Sequence, residues 1–127
     1  MRTKEAIRSF AHSLNIDLIG FTDALPLRAD AASFQTWLEA GMQGGMHWLE
    51  RRPLARHDPA DLLEGAQTVI CVAVSYHAAH QSAPHAARYA YGRDYHVVLA
   101  DKLAQVLAFL RQADPDIQAE ICMDTSP

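Results

Sequence analysis

The chain has 127 residues, half of them apolar and one-fifth charged, with a formal charge of −4 at pH 7. That size suits one domain burying roughly two-thirds of its unfolded surface, and the balance excludes a disordered or fibrous chain. Net negative charge argues against non-specific nucleic-acid binding over the whole surface. No long uncharged apolar run predicts a membrane span, and Met1-Arg2-Thr3-Lys4-Glu5 lacks the apolar core of a signal peptide, so a cytoplasmic location is expected.

Ile7, Phe10, Ala11 and Leu14 recur at helical spacing, which predicts a first helix from about Lys4 to Leu14 with Thr3 as its cap. Asp17 to Thr22 reads as a short buried strand. A second helix follows from about Ala31 to Ala40, with Phe34, Trp37 and Leu38 on one stripe and Gly41 as its stop. The segment Gly44-Gly45-Met46-His47-Trp48-Leu49-Glu50 is glycine-led and then helical, which suits a mobile loop or lid, and Arg51-Arg52-Pro53 ends it. Asp58 and Pro59 fit the cap and first position of a short helix running through Leu63. The continuous β-branched run Thr68 to Val74 predicts a central strand covered on both faces.

Tyr76 to Ala87 reads as a long loop. Its histidines, His77, His80 and His85, are irregularly spaced with no acidic or cysteine partner among them, so no metal ligands are assigned. A long helix is predicted from about Asp94 to Gln112, with Val98, Leu99, Val106, Leu107 and Leu110 apolar, and Asp114-Pro115 breaking it. Ile117, Ala119, Ile121 and Met123 then alternate with Gln118, Glu120 and Cys122, which predicts a final strand delivering Asp124 at its end. Alternating helices and strands imply an α/β fold, a mixed sheet flanked by helices. Cys71 and Cys122 lie in apolar strand-like runs and read as reduced core thiols. Without a Cys-x-x-Cys spacing, the chain by itself cannot ligate an iron–sulfur cluster or a structural zinc.

The densest chemistry lies in Arg88-Tyr89-Ala90-Tyr91-Gly92-Arg93-Asp94-Tyr95-His96. Nine residues carry two guanidiniums, a carboxylate, an imidazole and three phenols around one glycine. Such a run can clasp an anionic, ring-bearing ligand: arginine for fixed charge, tyrosine for stacking, histidine for proton traffic. A helix entry whose tyrosines pack and whose charges pair locally would use the same residues.

This run, with Asp124-Thr125-Ser126-Pro127 about thirty residues on, resembles the N-terminal domain of epoxyqueuosine reductases. The likeness includes Asp17-Leu18-Ile19-Gly20-Phe21-Thr22, Trp37-Leu38-Glu39-Ala40-Gly41, Gly45-Met46-His47-Trp48-Leu49, Arg56-His57-Asp58-Pro59, Leu62-Leu63-Glu64-Gly65-Ala66 and the strand Thr68 to Ser75. It covers essentially the whole chain in the family's order. The resemblance implies a fold like the cobalamin-binding domain of reductive dehalogenase-like proteins. It implies reductive loss of the epoxide oxygen from epoxyqueuosine in tRNA, the last step of queuosine formation, with cobalamin as cofactor and two [4Fe-4S] clusters feeding it electrons.

By the same resemblance Asp124 is the proton donor, and Arg56 and Ala87 fall at cofactor-contacting positions. Arg88, Asp94, Tyr95 and His96 are the further candidates for facing the ligand. To donate near pH 7 an aspartic acid must be raised from about 3.9, at a cost of about 4 kcal/mol, which desolvation beneath a macrocycle could supply. Simpler roles stand beside these: a turn-forming Asp124, an Arg56 paired with Asp58 or Asp61, Asp94 as a helix cap, Tyr95 in a core. Two basic groups, Arg51, Arg52 and Arg56 and then Arg88 and Arg93, would suit a phosphate-bearing cofactor or a docked tRNA loop if the fold joins them.

The family's cluster-ligating cysteines would lie beyond Pro127. Residues 1–127 are therefore expected to be a single N-terminal cobalamin-binding-type domain that is not a competent reductase alone. The alternatives are a corrinoid-binding module without catalysis and an inert remnant.

Overall fold

A computed structural model describes residues 3–77 and 87–123. Its regular elements are α1 (Lys4–Ser13), β1 (Leu18–Asp23), α2 (Arg28–Glu39), β2 (Thr68–Ala73) and α3 (Tyr95–Arg111), with 3-10 turns at His47–Glu50, Leu54–Arg56, Pro59–Asp61 and Arg88–Ala90. The chain forms two compact units: Met1–Gly20 with Ile70–Ile117, and Phe21–Val69 with Gln118–Pro127.

In the first unit, α1 packs on α3. Thr3 caps α1 as expected, its hydroxyl accepting the Ala6 N–H at 3.2 Å. The apolar spacing turns Ile7 and Ala11 inward, where they are buried with Ile16 and Val106. Phe10 stacks on Phe109 with ring centroids 4.1 Å apart and planes 4° from parallel. The chain leaves α1 through Asn15, whose φ of 55° is one that asparagine tolerates better than most residues. α3 occupies nearly its expected span: Asp94 caps it, and Val98, Leu99, Val106, Leu107 and Leu110 are all buried or half-buried.

β1 and β2 pair as a two-stranded antiparallel ribbon. Asp17 N–H donates to Ala73 O at one end (3.0 Å) and Ala24 N–H to Gln67 O at the other (3.2 Å). This corrects the expected mixed sheet. β2 is also not covered on both faces, since no residue of it is buried. β-branched residues favour extended backbone, but burial depends on what packs against it, and a run of them does not report that. The thiols correct likewise: Cys71 and Cys122 are free but exposed.

Residues 117–123 form no strand. Their burial still alternates, with Ile117, Ala119, Ile121 and Met123 half-buried and the residues between them exposed. An extended segment becomes a strand only when a neighbour supplies the ladder, and among the described residues β1 and β2 are the only strands and pair with each other. Asp124, which follows this segment, lies outside the described residues, as do His80 and His85.

In the second unit, α2 starts three residues before the expected position, because Leu27 enters it without any side-chain cap to mark the spot. The Leu27 N–H is instead held by the His57 carbonyl at 2.7 Å. Phe34 stacks on Trp37 at 5.8 Å and meets the His57 ring edge-on at 5.0 Å. Gly41 ends the helix region at φ 69°, the left-handed conformation expected of it. Asp58 caps the Pro59–Asp61 turn by accepting the Ala60 N–H at 2.9 Å.

Candidate functional site

The Arg88–His96 segment folds as a turn feeding a helix. Ala87 is extended, Arg88–Ala90 makes one 3-10 turn, and Gly92 at φ 90° redirects the chain so that Asp94 can cap α3. One carboxylate oxygen of Asp94 accepts both the backbone N–H of His96 at 2.9 Å and the His96 ring Nδ1 at 2.8 Å. The backbone N–H first, and the ring second, hold the Asp94 carboxyl below its usual range. Asp94 is thus both helix cap and imidazole anchor.

The tyrosines form a ladder. Tyr76 meets Tyr89 edge-to-face at 6.2 Å, Tyr89 meets Tyr95 edge-to-face at 6.0 Å, and Tyr95 stacks on His96 at 4.0 Å. Edge-to-face packing directs the positive rim of one ring at the negative face of the next, which orients the set. Tyr89 remains 53% exposed and Tyr76 66% exposed, so packing alone does not account for them. Arg88 joins the ladder from beside Tyr89, its Nη1 2.9 Å from His77 Nδ1, while Arg93 reaches Asp101 at 3.5 Å.

Of the expected site residues, Asp94, Tyr95 and His96 come together at the start of α3 in the first unit, while Arg88 turns to His77. Arg56 belongs to the second unit, where its Nη2 donates to the Trp48 carbonyl at 3.0 Å. Asp61 is taken by Arg52, at 3.6 Å between charged groups and 2.9 Å from Nη2 to the Asp61 carbonyl. In the His47–Glu50 turn, Glu50 accepts from Gln43 at 2.9 Å and lies 3.2 Å from His47 Nδ1; the Gln43 amide first, and His47 second, lower its carboxyl. A cavity of about 270 Å³ at the start of α2, between Pro26, Leu27, Ala31, Leu54 and His57, contains none of the expected site residues. Among the described residues no group of three or more His, Cys, Asp or Glu side chains is placed to hold a metal ion.

Sequence reasoning passed over Tyr76 and His77, reading one as the start of a loop and the other as one of several scattered histidines. Their signal was position: they follow the end of β2, where a chain leaving a strand carries its side chains beyond the ribbon.

The family profile "Epoxyqueuosine reductase QueG, DUF1730" matches residues 56–125, a span holding Arg56, Ala87, Arg88, Asp94, Tyr95, His96 and Asp124. The chain belongs to that family. It is 38% identical to an epoxyqueuosine reductase of Gloeobacter violaceus over 98% of its own length and 40% of the relative's. Its structure is similar to that of the epoxyqueuosine reductase from Streptococcus thermophilus, with a TM-score of 0.87, 26% identity, and coverage of 99% of this chain and 36% of the other. It is also similar to an epoxyqueuosine reductase crystallised with an epoxyqueuosine-modified tRNA-Tyr stem loop, at a TM-score of 0.84, 28% identity, and coverage of 97% and 34%. The chain thus spans well under half the length of the relatives it matches.

Proposed function

We propose that residues 1–127 are the N-terminal, cobalamin-binding-type domain of a cytoplasmic epoxyqueuosine reductase, which reduces epoxyqueuosine in tRNA to queuosine. The observation that carries this reading is the ladder Tyr89–Tyr95–His96 with Arg88 beside it, inside the family-matched span. No described helix is long and apolar enough to cross a membrane.

The residues fit cobalamin by their chemistry. A corrin ring carries amide side chains and its nucleotide tail a phosphate; exposed phenol rings suit the first, and the Arg88 guanidinium suits the second. Bound cobalamin would supply the reducing power for the reaction. The protein's own work is positional. Arg88 offers fixed positive charge, and Tyr76, Tyr89 and Tyr95 wall the ligand with π surface. Asp94 holds the His96 ring by Nδ1, so the Nδ1 proton stays shared with a carboxylate. Asp124 is proposed to protonate the oxygen leaving the epoxide carbon. The two cysteines of the chain do not fit a [4Fe-4S] cluster, which takes four thiolates, so no step is assigned to clusters here.

Titrating the purified chain into cob(II)alamin under anaerobic conditions and following absorption tests the proposal. A spectral change that survives Asp124→Asn but weakens at least tenfold in Arg88→Ala is the expected result. No change at any protein excess would sink the cofactor assignment. Conversion of epoxyqueuosine-modified stem loop by the 127-residue chain alone would overturn the expectation that the domain is insufficient by itself.

A further inference from the structure

We infer that Asp17, Ser75 and His77 are positioning residues for Arg88, a reading that deepens the cobalamin proposal and rests on it for its ligand. Asp17 opens one of the family-like stretches, yet nothing in the proposed reaction uses it. Its Oδ2 accepts the Ser75 N–H at 2.7 Å across 58 residues of sequence. The Ser75 hydroxyl accepts the His77 N–H at 3.2 Å, and His77 Nδ1 lies 2.9 Å from Arg88 Nη1. A guanidinium only donates, so Nδ1 must present its lone pair, and a neutral His77 ring keeps its proton on Nε2.

The consequence is a chain of three contacts from the residue before β1, through the residues just after β2, to the turn that leads into α3. Arginine has rotamer freedom to lose on binding an anion, and a partner that holds it in place beforehand removes part of that loss. Only one of its five donors is given to His77 in that contact, so the guanidinium still carries donors for a phosphate. Asp17 acts three contacts away from Arg88 and touches no ligand in this scheme. It fixes the backbone from which His77 projects.

The test pairs a binding measurement with a spectroscopic one on the 127-residue chain. In cob(II)alamin titrations, His77→Ala and Arg88→Ala should each weaken binding about tenfold, and the double variant should be no weaker than Arg88→Ala alone. His77→Asn, whose amide oxygen can accept in place of Nδ1, should recover most of the loss. Additive losses, or an asparagine variant as weak as the alanine one, overturn the inference. In ¹⁵N NMR the wild-type His77 ring should sit in the Nε2–H form, and the Arg88 side-chain N–H signals should be distinct. Those signals should average in His77→Ala and in Asp17→Ala; if the latter does not fold, the His77 comparison decides. Unchanged Arg88 signals in the variants overturn the inference whether or not cobalamin binds. Absent cobalamin binding with NMR behaviour as expected removes only the ligand assignment.

Discussion

Lys102 on α3 donates its ammonium to the carbonyls of both Leu14 and Asn15, the residues at which α1 ends. One cation thus satisfies the carbonyl of the C-cap Leu14, which the helix terminus leaves without an intrahelical partner, and that of the next residue, where the helix dipole is also negative. The contact spans 87 residues of sequence to Asn15, so it ties the first helix to the last.

Lys102→Met keeps the aliphatic stem and removes the charge. It should lower unfolding free energy by about 1–2 kcal/mol in urea titrations, because the carbonyls lose charged hydrogen bonds while the packing stays. Lys102→Arg should lie between the two. A Met variant as stable as wild type would show that water replaces the ammonium without loss.

The Asp94–His96 pair predicts an acid dependence with a defined sign. The folded-state carboxyl of Asp94 is held below its usual value, by the His96 backbone N–H and then by the ring. Its contribution is therefore present above the unfolded-state value of about 3.9 and is lost as pH falls through the lower folded-state value. Asp94→Asn keeps an oxygen that can cap α3 but cannot ionise. Measured between about pH 6 and about pH 2, the wild type should lose more stability than the variant, and the two curves should converge at the acid end. Parallel curves would refute the coupling.

Gly92 adopts φ 90°, and a Cβ built there meets nothing within 4 Å. Gly92→Ala therefore tests backbone strain without steric clash. The expected loss is about 1–2 kcal/mol, the cost of placing an L side chain in that region, read as a shift in urea midpoint. Because the strain falls between Arg88 and Asp94, cob(II)alamin affinity should fall as well.

The exposed thiols make a simple chemical prediction. Both Cys71 and Cys122 should be alkylated by iodoacetamide in the native chain, without denaturant. Partial desolvation, and then the nearby Glu120 carboxylate, push the Cys122 thiol up, leaving less thiolate near neutral pH. It should react more slowly than a cysteine in an unstructured peptide. Native-state protection of both would contradict their exposure.

Helix positions and caps were readable along the chain because they depend on neighbours in sequence. Thr3, Asp58 and Asp94 each cap through a backbone amide two or three residues on, and the spacing of Ile7, Ala11 and Val106 marks the faces that become buried. The start of α2 was not readable, since its entry is held by the His57 carbonyl, thirty residues away, and not by a capping side chain.

The local chain already specified the Asp94 cap, the left-handed Gly41 and the amphipathic faces, because φ preferences and side-chain periodicity act over a few residues. Strand pairing, the exposure of Cys71, and the meeting of Asp17, Ser75, His77 and Arg88 were settled only when distant segments packed. Alternation at Ile117–Met123 shows the division most clearly: the two-residue rhythm of side chains is written in covalent geometry, whereas a ladder of hydrogen bonds needs a second strand that no single segment can encode.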